Sequence, residues 1–583
     1  MQSLSKMFPF LPFPEPFMND LRLFVAASIL PVMLGVAFAA DVPISPLHAE
    51  IRAALDAGAK TVRLTQPEYR FDAPLILEKV DGFEIDGNGA RLVVTKPVSA
   101  IYLRNCSNVA LKNFTIDYDP LPFTQGVITA VAPESKGFDF TIDEGYPDLI
   151  ESYFLSMFHL FTADGRFWKS EAADMYGKTE ILDARHGRFT NGQPEPALTV
   201  GDRVVVSYRS GVALGSWMCG GITYENITIH ASPGAGILGR FGEGGDVLRR
   251  IVVGRGPTPP GAKVPRLFST NADATNFAFL RKGPTLTDCD FSFQGDDSLN
   301  LHSATMPVAA VLSPTVFDTF CGYRGGQHHE VVRPGDVIRI LDPVDYRVLS
   351  ESTIKSFKRS PRTYSDEVIK KYFKLFNGVH GSTVYEIELE AAPSVSLEAG
   401  MFFDMPTIAA AGYEVRDSYF HDHRGRGLRF MAGDGVVRNN RLERIKNAAI
   451  TVGAEYGFWR EAGWVANIVI SGNRVKDVGH GDGAKLRDQG YALGAISVFA
   501  RLEDYTSDFK GNRNIDIVDN VIENCLDAGI FVFAADGVRI VGNRLMNTAT
   551  ARKAPGSENG FRDMKPIWIV NAANVVEEKN IVE

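Results

Sequence analysis

Two short segments carry carboxylates at a spacing that suits acid–base chemistry: Asn271-Ala272-Asp273 and Gly295-Asp296-Asp297-Ser298-Leu299-Asn300-Leu301-His302. Asp273 and Asp296 are 23 residues apart, about one coil of a β-solenoid, so they are expected on neighbouring rungs roughly 4.8 Å apart. Three carboxyl groups in one patch do not all ionise comfortably. One pKa is pushed up, and the patch then holds a proton donor beside proton acceptors near neutral pH. That is equipment for cleaving a glycosidic bond. A carboxylate pair about 6.5–9.5 Å apart leaves room for a water and inverts the anomeric centre, whereas a pair near 5 Å attacks directly and retains it. Asp296 and Asp297 would face opposite ways in a regular strand, so both serve only if Gly295 opens a bulge or a turn. An outward polar face or a calcium site is the competing reading. Asp288 and Asp290, alternating just upstream, read as a solvated face.

His421-Asp422-His423-Arg424-Gly425-Arg426-Gly427-Leu428 is a second constellation, expected a few rungs from the first once the intervening segment is looped out. Guanidinium forks suit sugar hydroxyls and carboxylates. The two histidines could share a metal on one strand face, but no third ligand lies near in sequence, so no metal and no cofactor are assigned. The third is the loop Tyr456-Gly457-Phe458-Trp459-Arg460-Glu461-Ala462-Gly463-Trp464. Its aromatic faces could stack on a pyranose, although for Trp464 a packed aromatic corner is an equally good reading.

The elements that must position these residues are short strands separated by Gly, Asn and Asp. Val436 to Leu442, Ile468 to Val475, Ile515 to Ile522 and Val538 to Leu545 repeat one pattern, with Asn440, Asn473, Asn520 and Asn543 at the same place. There an Asn tolerates a left-handed turn and its amide can bond to the Asn of the next coil. The spacing from 520 to 543 fits one coil and that from 473 to 520 about two, which favours a right-handed parallel β-helix. Pro46 to Gly58 has helical periodicity, as expected of a cap. Longer strands around Val200-Gly201-Asp202 and Pro334-Gly335-Asp336 have the pattern of small antiparallel barrels. The expected fold is therefore all-β, a right-handed parallel β-helix with two inserted small β-barrel-like subdomains. Its segments are a signal peptide (1–39), an N-terminal part with a helical cap (40–126), a first insertion (127–211), catalytic coils (212–302), a second insertion (303–410) and a C-terminal part (411–583).

With 583 residues, 45% of them hydrophobic, the chain can bury a large core, and its net charge of −9 argues against nucleic acid or an anionic membrane as the main partner. Leu23 to Ala39 is an apolar run preceded by Arg22 and ending in Ala37-Phe38-Ala39-Ala40, the pattern of a cleaved export signal. We expect an exported protein, periplasmic or extracellular, with an uncleaved N-terminal anchor as the alternative. Cys106, Cys219, Cys289, Cys321 and Cys525 lack metal-ligand spacing and read as buried small hydrophobes. Gly234-Ala235-Gly236-Ile237-Leu238-Gly239 matches a dinucleotide-binding pattern, yet no suitable helix follows, so coil turns explain it.

Taken together, Asn-x-Asp, then Asp-Asp-x-x-Asn-x-His one coil on, then Arg424-x-Arg426-Gly-Leu and the Trp459/Glu461 loop resemble glycoside hydrolase family 110. Asp117-Tyr118-Asp119-Pro120-Leu121-Pro122-Phe123-Thr124-Gln125-Gly126 adds to the likeness. The resemblance implies an inverting exo-α-galactosidase acting on α-1,3-linked galactose, on a β-helix with barrel insertions, and an oligosaccharide or polysaccharide substrate. It places catalytic carboxylates at Asp273, Asp296 and Asp297, and substrate contacts at Asn271, Asn300, His302, Arg424, Arg426, Trp459, Glu461 and Trp464. The wider polygalacturonase-like clan is also similar at 271–273 and 295–297; by its analogy Asp296 is the general acid, while Asp273 and Asp297 hold and deprotonate the water. Ala272 replaces the clan's Thr, its Arg-Ile-Lys uronate clamp is missing, and Gly425 stands where Ala is expected. A polygalacturonase-like hydrolase, a polysaccharide lyase and a non-catalytic glycan-binding β-helix are the alternatives.

Overall fold

A computed structural model describes residues 45–583 except 170–171, 173, 192–193, 321–325, 373–382, 458, 480–492, 503–507 and 551–563. The expected signal segment 1–39 and Cys321 lie outside the described residues. The chain opens with the helix Pro46–Asp56, capped by the Ser45 hydroxyl, which accepts from the His48 N–H. Leu47 and Ile51 on one face of that helix are buried against the first coil.

From there the backbone winds as a right-handed parallel β-helix whose coils each add one strand to three parallel sheets. One sheet stacks Leu111, Tyr224, Leu248, Leu286 and Val415 in register. The second stacks Ile116, Ile229, Val253, Phe291 and Phe420. The third stacks Leu103, Ser216, Gly239, Phe277 and Leu301. Strand residues alternate between the inside of the coil and its surface, so the inward aliphatic and aromatic side chains form one continuous core that also takes in Cys106, Cys219, Cys289 and Cys525.

The asparagine ladder forms. The Asn440 side-chain amide donates to Asn473 Oδ1, Asn473 to Asn520, and Asn520 to Asn543, each at 3.0 Å, and Asn543 extends the row to Asn580 at 3.1 Å. Two details differ from expectation. The left-handed residue is the one before each ladder Asn (Asn439, Gly472, Asp519, Gly542), because that turn aims the next side chain inward, where it is buried. Asn473 and Asn520 are on adjacent coils rather than two apart.

Two antiparallel units interrupt the solenoid. The first is a closed six-stranded barrel running from Phe123–Val131 to Arg203–Ser207, filled by Phe138, Phe140, Phe158 and Phe189. The second is a seven-stranded antiparallel sheet between Met306–Pro307 and Phe402–Asp404, with its own core. Both leave and rejoin the coils beside the third sheet.

Each ladder amide satisfies buried backbone groups as well as its neighbour. Asn520 Oδ1 accepts from the Asn473 N–H, and its Nδ2 donates to the Ile470 carbonyl. Asn520→Ala leaves both without partners, so it should cost roughly 1–3 kcal/mol. A chemical-denaturation midpoint equal to that of the parent protein would contradict this.

Candidate active site

The three carboxylates sit in the turns that lead into consecutive strands of the third sheet. Asp273 precedes Thr275–Ala278, Asp296 and Asp297 precede Leu299–His302, and Arg424 and Arg426 precede Leu428–Phe430. Thr275 pairs with Leu299 and Leu299 with Leu428, so these segments occupy three successive rungs. The arginine segment is thus on the very next rung, closer than expected, because the whole second insertion is looped out. Gly295 breaks the strand into a bend, which frees Asp296 and Asp297 from strict alternation. A Cβ on Gly295 would lie 2.7 Å from the Asn271 carbonyl oxygen, so glycine lets the two turns touch.

One oxygen from each carboxylate lies within 4.8 Å of the other two. Asp297 is buried, and both its oxygens are held by Arg426: the backbone N–H donates to one at 2.7 Å and Nη2 to the other at 2.8 Å. Asp273 accepts from the Asp297 N–H at 3.0 Å and from Asn276 Nδ2 at 2.5 Å. Burial, reinforced by the charges of Asp296 and Asp297, pushes the Asp273 carboxyl up to about 8. Asp296 is the most open of the three, with Arg424 Nη1 at 3.2 Å and Arg209 Nη2 at 3.9 Å. The spacing would admit a divalent cation, yet Arg209, Arg424 and Arg426 already supply the counter-charge.

The other expected contacts divide into groups. Glu461 lies over the site with Arg429 at 2.9 Å; burial opposes its charge, and the guanidinium groups led by Arg429 more than offset this, so its pKa is lowered. His302 is buried with Nδ1 on the Ser303 carbonyl, and burial lowers it to about 4, so it is neutral. Asn300 is buried in the same strand, and its side-chain oxygen, like that of Asn276, has no partner among the described residues. Trp459 is half-buried at the rim.

Three of the expected contacts are engaged by the protein itself. Asn271 is fully buried, and its amide donates to the carbonyls of Pro122 and Tyr208, tying the barrel to the turn that carries Asp273. Trp464 is buried against Tyr456 and Phe509, and its indole N–H donates to the Tyr346 carbonyl, which makes it a packed corner. Arg424 is engaged by Asp174 and the Gly295 carbonyl, so it braces Asp296 from behind. The two histidines do not converge: His421 meets Asp290 and Asp422, whereas His423 meets Ser298.

Several residues were not legible in sequence. Asp174 and Arg209 come from the barrel and its exit, and Lys446 from a later coil; Lys446 joins Asp174 at 3.0 Å. Nothing local marks them. Asn276 and Arg429 could have been found, since each lies on the outward row of a strand that follows a motif already noted.

The chain is similar to alpha-1,3-galactosidase B of Bacteroides thetaiotaomicron, with 22% identity over 504 residues, covering 82% of this chain and 75% of that protein. It is also similar to alpha-1,3-galactosidase A of Bacteroides fragilis, with 20% identity over 503 residues, covering 84% and 77%. A solved structure, the A-module of a mannuronan C-5 epimerase of Azotobacter vinelandii, is 10% identical with a TM-score of 0.40 over 92% of this chain and 94% of that one. No family model matches the chain. The likeness to glycoside hydrolase family 110 read from motifs thus extends over more than four fifths of the sequence in these relatives.

Gly425 packs directly on the peptide between Asp296 and Asp297. A Cβ there would lie 2.3 Å from the Asp296 carbonyl carbon and 2.5 Å from the Asp297 nitrogen. Gly425→Ala must therefore push the two carboxylates out of place, and a shift of about 1 Å at reacting groups costs about 10²-fold in turnover. Unchanged kcat with an unchanged melting temperature would show that the turn absorbs the methyl group.

Proposed function

We propose that the protein is an exo-acting glycoside hydrolase that removes terminal α-1,3-linked galactose with inversion of configuration. The observation that carries hydrolysis is the three-carboxylate cluster, in which burial pushes the Asp273 carboxyl up to about 8. Galactose and the linkage rest on the relatives named alpha-1,3-galactosidase. Export, proposed from the N-terminal apolar run, would put the enzyme where glycans are met.

Inversion is supported by how the carboxylate oxygens are used. The 4.8 Å spacing is shorter than the usual inverting separation, so distance alone does not choose the mechanism. A nucleophile needs a free oxygen, and both oxygens of Asp297 are tied to Arg426 while those of Asp273 are tied to Asp297 and Asn276. Two carboxylates restrained in this way are better placed to bind a water between them than to attack carbon. Asp296, outermost and braced by Arg424, is placed to protonate the departing glycosidic oxygen. In the free site burial keeps a proton on Asp273, and in the reacting complex Asp296 is the group that hands one to the leaving oxygen.

Two measurements test this reading. Because the proton is lost as pH rises through about 8, kcat/KM should fall tenfold per pH unit above that value and be restored on returning to pH 7. A profile flat to pH 10 would remove Asp273 from the proton inventory. Proton NMR in the first minutes of hydrolysis of an aryl α-galactoside should show β-galactose first. An initial α anomer, or transfer to added methanol, would mean a covalent intermediate; an unsaturated product would mean a lyase.

A further inference from the structure

The outer face of the third sheet does not end at the carboxylates. In register from the site toward the N-terminus, one row runs Asn276, Leu238, Gly215, Tyr102, Ile76. The neighbouring row runs Ala278, Arg240, Trp217, Arg104. Four rung spacings separate Asn276 from Ile76, roughly 19 Å at about 4.8 Å per rung, which is longer than one sugar ring.

This face is partly apolar; its Ala278 end is covered by the core of the second insertion, against which Trp217 also packs. Tyr102 lies across Gly215, where a Cβ would meet its ring at 2.5 Å, so the missing side chain is what lets the ring lie down. Trp217 is half-buried beside it, its ring 5.0 Å from Phe241. The Arg104 guanidinium sits 5.4 Å over Tyr102, and Ile76 at the far end is 46% exposed. Apolar ring faces with guanidinium donors at their edges suit the two faces of a pyranose.

The shelf is continuous with the site through Arg240. Its Nη1 donates to the Asn276 carbonyl at 3.0 Å, and Asn276 in turn holds Asp273. The same guanidinium acts electrostatically on Tyr102 at one end and on His302 and Glu461 at the other.

We propose that Tyr102 and Trp217, edged by Arg104 and Arg240, form a binding track for the sugars on the leaving-group side of the scissile bond, so that the protein acts on galactose ending a longer glycan chain. This rests on the galactosidase reading above. The occupant is the substrate's own chain because the track is continuous with the carboxylates through Arg240 and Asn276. Arg240 reaches Asp273 through Asn276, whereas the side chains of Tyr102, Trp217 and Arg104 are not among the groups that hold the triad, so these three set affinity for the chain without entering the chemistry.

The test compares an aryl α-galactoside with di-, tri- and tetrasaccharides that end in α-galactose. The wild-type kcat/KM should rise with length. Trp217→Ala should lose about tenfold on the tetrasaccharide and keep the aryl galactoside rate. Because Trp217 also packs on Phe241, Arg104→Gln provides a second variant, expected to lose in the same direction with an unchanged melting temperature. Equal losses on short and long substrates, or no rise with length in the wild type, would overturn the track while leaving the galactosidase reading intact. No hydrolysis of any α-galactoside, the aryl compound included, would end both.

Discussion

Three carboxylates with oxygens within 4.8 Å of one another repel, and the rest of the site is arranged around that repulsion. At an effective dielectric constant of about 20, each ionised pair at this distance costs about 3 kcal/mol. The site meets the cost in two ways. One proton stays on the cluster at Asp273, and guanidinium groups from other elements stand against the remaining charges. Each is then constrained: Arg426 fixes both oxygens of Asp297, and Arg424 is fixed by Asp174 so that it can brace Asp296. Burial, with this repulsion added to it, is what keeps the proton on Asp273.

The solenoid supplies the spacing and the insertions supply the counter-charges. Successive coils of a parallel β-helix repeat at one strand separation, so turns before consecutive strands bring their side chains together. A plain solenoid would leave this patch in water, where the repulsion is screened and the pKa shift is lost. The barrel closes one side, delivering Asp174 and Arg209 and anchoring itself through Gln125, which accepts from the Leu267 N–H and donates to the Pro265 carbonyl, and through Asn271. The second insertion closes the other. Its Asp404 holds Arg339 and accepts from Tyr456, and Tyr346 stacks on Tyr456 at 4.8 Å, which fixes the loop that carries Glu461 over the cleft.

The glycines at 295 and 425 show how narrow the tolerance is. Both lie where two turns from different rungs meet, and both would place a Cβ inside a neighbouring peptide. Gly425, which departs from the pattern of its resembled family, is required here by the path of the Asp296–Asp297 peptide.

The amino-acid sequence was sufficient for the solenoid, the cap helix, the presence of two insertions and the carboxylate triad, because these depend on short-range periodicity. A strand alternates every two residues, a coil returns after about two dozen, and a residue type at the same phase of two coils must be adjacent in space. It also contained the asparagine ladder, though the left-handed position was one residue earlier than expected. What only tertiary structure decided is the task of each side chain around the triad. Asn271 and Trp464 carry the right chemistry for sugar but are buried by contacts with Tyr208 and Tyr346, over 60 and over 100 residues distant in the chain. Arg424 has the right fork, yet Asp174, 250 residues away, has already taken it. Such pairings have no period to read, since they arise where an insertion folds back onto the coils, and burial and charge there depend on both partners at once.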